Sequence, residues 1–299
     1  MQYRRLGHSD LEISVIGFGC MSLPLEREED CIQMIHRAIE LGINYFDTAD
    51  LYQKGLNEIV MGKALSVKRD QVIIATKVGN RWRPDGSGWD WTPRKDYILK
   101  AAEESLQRLQ TDHIDLYQLH GGTIDDPIDE VIEAFEILQK QGKIRYYGIS
   151  SIRPNVIREY VQRSSISSVM LQYSVADRRP EENVLDLLKE NNIGVLSRGA
   201  LAQGMLAGKK AQEYLGHSPE EMEAAAQLLQ GIGIPLRTAA QSALLYVLNH
   251  PAITAVITGM SRMEQLTEIA ATAGKEKLTV KDMEMLQDIL PPKTYELHR

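Results

Sequence analysis

A (β/α)8 barrel, the TIM-barrel class of α/β folds, is what this sequence predicts, on three observations. Eight short runs rich in Val, Ile, Leu and Tyr occur at 14–19, 44–49, 72–77, 114–120, 144–150, 169–173, 194–198 and 253–259. Several show no polar alternation, as strands covered on both faces do. Amphipathic helical stretches separate them, which implies parallel strands joined by right-handed crossovers. Eight such units close a barrel of about 250 residues, and no Gly/Ser/Pro-rich linker divides the 299 residues here, so one domain over 1–299 is expected. An open, doubly wound sheet has the same periodicity and remains the alternative.

Taken in chain order, 3–6 and 11–14 flank Gly7-His8-Ser9-Asp10 and predict an N-terminal β-hairpin. Over 27–41, Cys31, Ile32, Ile35, Ala38 and Ile39 share one helical face. Ile128, Val131, Ile132, Phe135 and Leu138 do the same further on. Pro93, Pro127, Pro154, Pro180 and Pro219 are expected at first helical positions, where the missing N–H is harmless. Thr92, Asp126 and Ser218 precede three of them as N-caps, and Ser218-Pro219-Glu220-Glu221 is a capping box. Residues beyond the last strand are expected to form C-terminal helices.

Composition narrows the function class. Lys and Arg number 34 against 41 Asp and Glu, a net charge of −7, which argues against nucleic acid or an anionic membrane as partner. No apolar run approaches the roughly 18 residues of a membrane span, and no apolar segment follows the basic start as in a signal peptide. Cys20 and Cys31 neither staple a chain of this size nor match a metal-ligand spacing, so no metal and a reduced, cytoplasmic setting are expected.

In a barrel, the C-terminal ends of neighbouring strands share one mouth. The second strand runs out in Asp47-Thr48-Ala49-Asp50-Leu51-Tyr52, the third in Thr76-Lys77 and the fourth in His120-Gly121-Gly122. An acid, a phenol, an amine and an imidazole thus converge on one rim. A tyrosine holds its proton to about pH 10 in water, and an adjacent ammonium favours the phenolate. Lys77 can supply that ammonium, Asp47 can orient it, and His120 can hydrogen-bond a carbonyl. Together they could protonate a carbonyl oxygen while a hydride reaches its carbon. No serine elbow, H-E-x-x-H or paired-carboxylate pattern supports a hydrolase. Two other readings stay open at this point: Asp47 and Lys77 as a purely structural ion pair, and Lys77 as a Schiff-base lysine of an aldolase.

The chain resembles the aldo-keto reductase family over nearly its whole length. The resemblance rests on Gly17-Phe18-Gly19-Cys20-Met21, on Gly42-Ile43-Asn44-Tyr45-Phe46-Asp47-Thr48-Ala49-Asp50-Leu51-Tyr52, on Thr76-Lys77 and on Ile114-Asp115-Leu116-Tyr117-Gln118-Leu119-His120. Gly142-Lys143-Ile144-Arg145-Tyr146-Tyr147-Gly148-Ile149-Ser150, Leu201-Ala202-Gln203-Gly204 and Val256-Ile257-Thr258-Gly259 complete it. It implies NADPH-dependent reduction of small aldehydes or ketones, with NADH less favoured. Tyr52 would be the general acid, Lys77 and Asp47 would tune it, and His120 would position the carbonyl. Gly19, Met21, Asp47, Gly204 and Gly259 would line the cofactor site, while Ser150 and Gln172 would meet the nicotinamide amide. Ser261, Arg262 and Gln265, at a helix start after the last strand, would meet the phosphate end, with Arg262 as reader of a 2′-phosphate.

This sequence departs from the family pattern at four positions. Ser151 replaces a usual Asn, Arg198 a usual aromatic that stacks on the nicotinamide, Ile269 a usual Asn, and Gln265 a usual basic residue. Arg198 and Ser151 motivate a second function class, a nicotinamide-binding sensor or regulatory subunit with little turnover. Trp82, Trp89 and Trp91 all fall in the long connection after the third strand, which therefore reads as a substrate-pocket wall or lid. The identity of the carbonyl substrate and the oligomeric state leave no mark in the sequence.

Overall fold

Alternation with a period of two explains the barrel. In the computed structural model, which describes residues 1–233 and 235–299, eight parallel strands hydrogen-bond into a closed ring. They are β3 (Ile16–Gly19), β4 (Tyr45–Asp47), β5 (Ile73–Val78), β8 (Ile114–His120), β9 (Ile144–Ser150), β10 (Ser168–Gln172), β11 (Gly194–Arg198) and β12 (Ile253–Gly259). Closure runs through the β12–β3 and β9–β10 pairs, which excludes the open sheet. Two antiparallel hairpins stand outside the ring: β1 (Tyr3–Arg5) with β2 (Glu12–Ser14), and β6 (Asn80–Trp82) with β7 (Trp89–Trp91).

Helices cover the outside. They are α1 (Glu28–Glu40), α2 (Leu56–Leu65), α3 (Lys95–Leu109), α4 (Ile128–Lys140), α5 (Pro154–Arg163), α6 (Val184–Glu190), α7 (Pro219–Gly233), α8 (Ala239–Asn249), α9 (Met263–Ala270) and α10 (Val280–Ile289). No helix among the described residues is long and apolar enough to cross a membrane.

Each strand feeds two cores, because successive side chains point to opposite faces. Outward residues such as Phe46, Ile74, Tyr117 and Ile149 pack with the helices in one large cluster. Inward residues form a second, smaller one: Tyr45, Ile73, Ala75, Leu116, Met170, Leu196, Ala255 and Ile257. Leu6, Leu11 and Ile13 of the N-terminal hairpin join this inner cluster, so the hairpin plugs the barrel floor. Inward alternation continues to the other end of the strands, where it delivers polar side chains to the mouth.

Helix starts follow the sequence only in part. Pro154 and Pro219 open α5 and α7, and the capping box forms: Ser218 N–H donates to Glu221 Oε2 at 2.7 Å and Glu221 N–H to Ser218 Oγ at 3.2 Å. Thr92 and Asp126 are not caps, which corrects the expectation. Helix α3 begins at Lys95 rather than Pro93, and its Lys95 N–H donates to Glu130 Oε1 of α4 at 2.9 Å, a cap supplied by a neighbouring helix. The Asp126 carboxylate turns back to Thr123 and to the Trp91 indole instead. Pro127 stands at the cap position of α4, and Pro180 lies in a short 3-10 turn before α6.

One glycine is required at the floor. Gly7 has φ +56°, and a Cβ there would lie 2.5 Å from Ser167 O, 2.7 Å from Gly194 N and 2.8 Å from Asn192 O, all backbone atoms. Gly142, after α4, has φ +72° with nothing within 4 Å of such a Cβ. Gly142→Ala should therefore cost about 1 kcal/mol, the left-handed penalty alone. Gly7→Ala should cost about 2–4 kcal/mol, because overpacking adds to it. Urea denaturation of the two variants measures the difference.

Candidate active site

Strand alternation places Asp47 of β4, Lys77 of β5, and Gln118 and His120 of β8 inside the barrel at its open end. The Lys77 ammonium donates to Asp47 Oδ1 at 2.5 Å, to the Thr48 carbonyl at 2.7 Å and to Tyr52 Oη at 3.5 Å. Asp47 is 4% exposed and Lys77 1%. Burial alone would pull the lysine down, but Asp47 and Tyr52 outweigh it and hold the amine above its ordinary value. A lysine kept as ammonium is no free nucleophile, which removes the main support for the Schiff-base reading. Burial pushes the Asp47 carboxyl up, against the pull of Lys77 and of Gln118, whose amide donates to Asp47 Oδ2 at 3.3 Å.

Tyr52 reaches this pair from the turn after β4. Gln53 (φ 46°) and Lys54 (φ 57°) both adopt left-handed backbone just behind it, at about 1–2 kcal/mol each. That strain turns the chain sharply into α2 and leaves the phenol over the mouth. The Tyr52 and His120 rings meet edge to face, 5.8 Å apart at 84°. Burial pushes His120 down to about 3, with Lys77 and Arg198 adding to it. Its Nδ1 is buried with no partner among the described residues. The imidazole is thus neutral near pH 7 and keeps hydrogen-bonding capacity in reserve.

These groups open onto a cavity of about 1050 Å³. Tyr52, Lys77, His120 and Asp47 line it, with Ser150 on β9 beside His120 and Arg198 on β11 across the barrel. Gly19, Met21, Gly204 and Gly259 line it too, and Arg262 and Gln265 stand at the start of α9. Two residues expected at the cofactor do not line it. The Gln172 amide donates to Tyr214 Oη at 2.7 Å and accepts from Arg198 Nη1 at 3.2 Å. Ser261 donates from its N–H and hydroxyl to Gln265 Oε1, at 3.1 and 3.3 Å.

The three tryptophans belong to a hairpin, not to an irregular lid, and none lines the cavity. The Trp82 indole donates to the Leu51 carbonyl at 3.1 Å, and Trp89 is 48% exposed. Trp91 donates to Asp126 and lies on Gly79, where a Cβ would stand 2.5 Å from its ring. Three-residue strands are too short to show periodicity, so the pairing was hidden in the sequence.

Sequence reasoning also missed residues. Gln118 lies two positions before His120 on one strand and so faces the same way; that spacing could have disclosed it. Thr258 lines the cavity with its Oγ1 buried and unpartnered among the described residues, and Gln203 and Lys209 close one side of it.

Comparison with known proteins decides the family. A model of the aldo/keto reductase family matches residues 15–291. The chain belongs to the aldo/keto reductase family. Uncharacterized oxidoreductase YqkF of Bacillus subtilis (strain 168) is 49% identical over 100% of both chains. L-galactose dehydrogenase of Arabidopsis thaliana is 32% identical, over 97% of this chain and 93% of its own. The holo form of aldo-keto reductase AKR11C1 from Bacillus halodurans superposes with a TM-score of 0.93 at 48% identity, over 100% of this chain and 99% of its own. Aldo-keto reductases are oxidoreductases of small carbonyl compounds that use nicotinamide cofactors, and this barrel carries that architecture throughout.

The burial of His120 has a measurable sign. Its folded value lies below the unfolded 6.5, so the unfolded chain binds a proton that the folded one refuses between 6.5 and about 3. Stability should fall with acidification through that window. The ¹⁵N shifts of His120 should stay those of a neutral ring from about pH 9 down to about pH 5, where an unperturbed histidine would be charged.

Proposed function

We propose that this protein reduces aldehydes or ketones to alcohols with NADPH, with Tyr52 as general acid and residues 1–299 acting as one unit. The observation that carries the proposal is the Asp47–Lys77–Tyr52 chain, buried at one end and open to the cavity at the other, with a neutral imidazole beside it. Tyr52 gives its O–H proton to the carbonyl oxygen. The phenolate left behind faces the Lys77 ammonium, which Asp47 and the Thr48 carbonyl hold in place. His120, as a neutral ring, donates an N–H to the same carbonyl oxygen and sets its direction. Gln118 holds the second oxygen of Asp47 and so positions the pair.

The cavity residues fit a nicotinamide dinucleotide. Gly19, Gly204 and Gly259 present bare backbone, as close approach of a flat ring and a pyrophosphate demands. Bound there, the cofactor would supply the hydride. Arg262 and the free N–H groups of α9 suit a phosphate, and Arg262 has no carboxylate within 4.0 Å among the described residues. That supports NADPH over NADH. Ser150 would meet the nicotinamide amide, and the Arg198 guanidinium would stack where an aromatic is usual. Gln172, tied to Tyr214 and Arg198, would act through Arg198.

Tyr52→Phe should lower kcat for a good aldehyde by about 10²–10⁴-fold and leave NADPH affinity near wild type. Wild-type turnover in that variant would remove Tyr52 from the acid role. If the unaltered protein bound NADPH tightly but turned over no member of a broad aldehyde and ketone panel, the sensor reading would replace this one. Fluorescence titration should give a dissociation constant for NADPH at least about tenfold below that for NADH, with Arg262→Gln narrowing the gap. Equal constants in the wild type would contradict the preference.

A further inference from the structure

Nothing in the reduction chemistry uses the β6–β7 hairpin, yet it is built as a rigid part. Its strands pair over Asn80–Trp82 and Trp89–Trp91, Arg83 bridges to Asp90 at 2.6 Å, and the Trp91 indole donates to Asp126 Oδ1 at 2.9 Å. Asn80 and Trp82 lie two positions apart on β6, so their side chains leave the strand on the same face. Asn80 Nδ2 donates to the main-chain carbonyl of His120 at 3.1 Å. Trp82 Nε1 donates to the main-chain carbonyl of Leu51, the residue before Tyr52, also at 3.1 Å. One short strand thus grips the backbone of the imidazole with one side chain and that of the phenol with the next.

The Tyr52 turn needs such a grip. Gln53 and Lys54 are left-handed, and backbone of that kind persists only where its surroundings over-determine it. Two of the turn's own backbone bonds are long, Asp50 N–H to the Lys77 carbonyl at 3.3 Å and Lys54 N–H to the Leu51 carbonyl at 3.4 Å. The buried Asp50 side chain adds little: Oδ1 has no partner among the described residues, and Oδ2 accepts from Tyr97 Oη at 3.4 Å. The hairpin supplies what the turn lacks, on both sides of Tyr52. Before it, Leu51 O accepts from the Trp82 indole. After it, the Lys54 ammonium lies over the Trp82 ring at 5.1 Å, a cation–π contact. That ammonium also rests on the hairpin's tip, where a Cβ on Gly86 would stand 2.9 Å from Nζ.

We propose that Trp82 and Asn80 are positioning residues of the reduction, which together set the separation between the Tyr52 phenol and the His120 imidazole. The inference rests on the reading of Tyr52 as general acid. The two rings meet edge to face at 5.8 Å, and on that reading one carbonyl oxygen must be reached by both. His120 ends β8 and Tyr52 follows β4, with β5 between those strands in the ring. Strand β6 begins two residues after β5 ends, so the chain that leaves the middle strand braces both neighbours. Lys77 belongs to the same stretch, and ammonium, phenol and imidazole are all referred to residues 77–82. Reacting groups held this way are sensitive: a displacement of about 1 Å can cost on the order of a hundredfold in rate.

The test follows hydride transfer itself, as NADPH fluorescence in a single turnover of the full chain with 4-nitrobenzaldehyde. Trp82→Phe keeps a ring beneath Lys54 and removes the indole N–H. It should slow the transfer at least about tenfold, with NADPH affinity unchanged and unfolding still cooperative. Asn80→Ala should slow it by a similar factor. In a Tyr52→Phe background, Trp82→Phe should cost nothing further, because a brace is idle once the group it positions is gone. A merely structural role would show the same loss in both backgrounds, and that result would overturn the proposal. Trp89→Phe, on the paired strand, should keep the wild-type rate; a loss equal to that of Trp82→Phe would trace the effect to the hairpin's general integrity and overturn it too. A slow Tyr52→Phe beside an unchanged Trp82→Phe would sink the inference alone. No turnover by the wild type, or wild-type turnover by Tyr52→Phe, would remove the reading of Tyr52 and the inference with it.

Discussion

A full ion pair inside a protein is a constraint before it is a source of stability, and Asp47–Lys77 sets the terms for this one. Removing two charges from water costs several kcal/mol each, recovered only with close contact and every remaining polar valence satisfied. At 2.5 Å the contact is made, and the Thr48 carbonyl, Gln118 and Tyr52 take up the valences left over. Those partners come from three neighbouring strands and the turn after one of them. The pair therefore holds β4, β5 and β8 in register at their open ends, where the apolar filling of the barrel has run out.

Stability and chemistry occupy opposite ends of the same strands. Tyr45, Ile73 and Leu116 fill the lower barrel against the plug of Leu6, Leu11 and Ile13. One or two pleats further along, the same inward face carries Asp47, Lys77, Gln118 and His120. The lower residues fix the strands rigidly enough that the upper ones need little support from loops, which suits a site that must be preorganised. Where loops do contribute, they are strained or braced. Gln53 and Lys54 accept left-handed backbone behind Tyr52, and Trp91 presses on Gly79.

What could be read in the sequence divides along the same line. Strands such as 114–120 and 253–259 were visible to the residue, because an apolar run bounded by polar turns reports burial on both faces without reference to anything distant. The acid, amine and imidazole at strand ends were visible for the same local reason, once closure was assumed. Features that depend on a partner far along the chain were not. The start of α3 is capped by Glu130, thirty-five residues away, so Thr92 and Pro93 misdirected the reading. The β6–β7 hairpin rests on cross-strand pairing and on Arg83 with Asp90, and its strands are too short for periodicity. Gln118 was hidden inside an apolar strand, and nothing local distinguishes the buried, half-partnered Asp50 from a solvated loop aspartate.

The plugged floor has a kinetic meaning. With Tyr45, Ile73 and Leu116 filling the interior and Leu6, Leu11 and Ile13 packed beneath them, the barrel is a vessel with a single opening. On the proposed chemistry, two molecules must sit in that vessel one above the other, the hydride donor against the strand ends and the carbonyl compound nearer the solvent. Neither can leave through the other. Turnover then becomes a queue in which the last to arrive is the first to go, and the lower occupant is replaced only after the upper one has departed. Packed side chains remote from every reacting atom would thus dictate the order of traffic through the site.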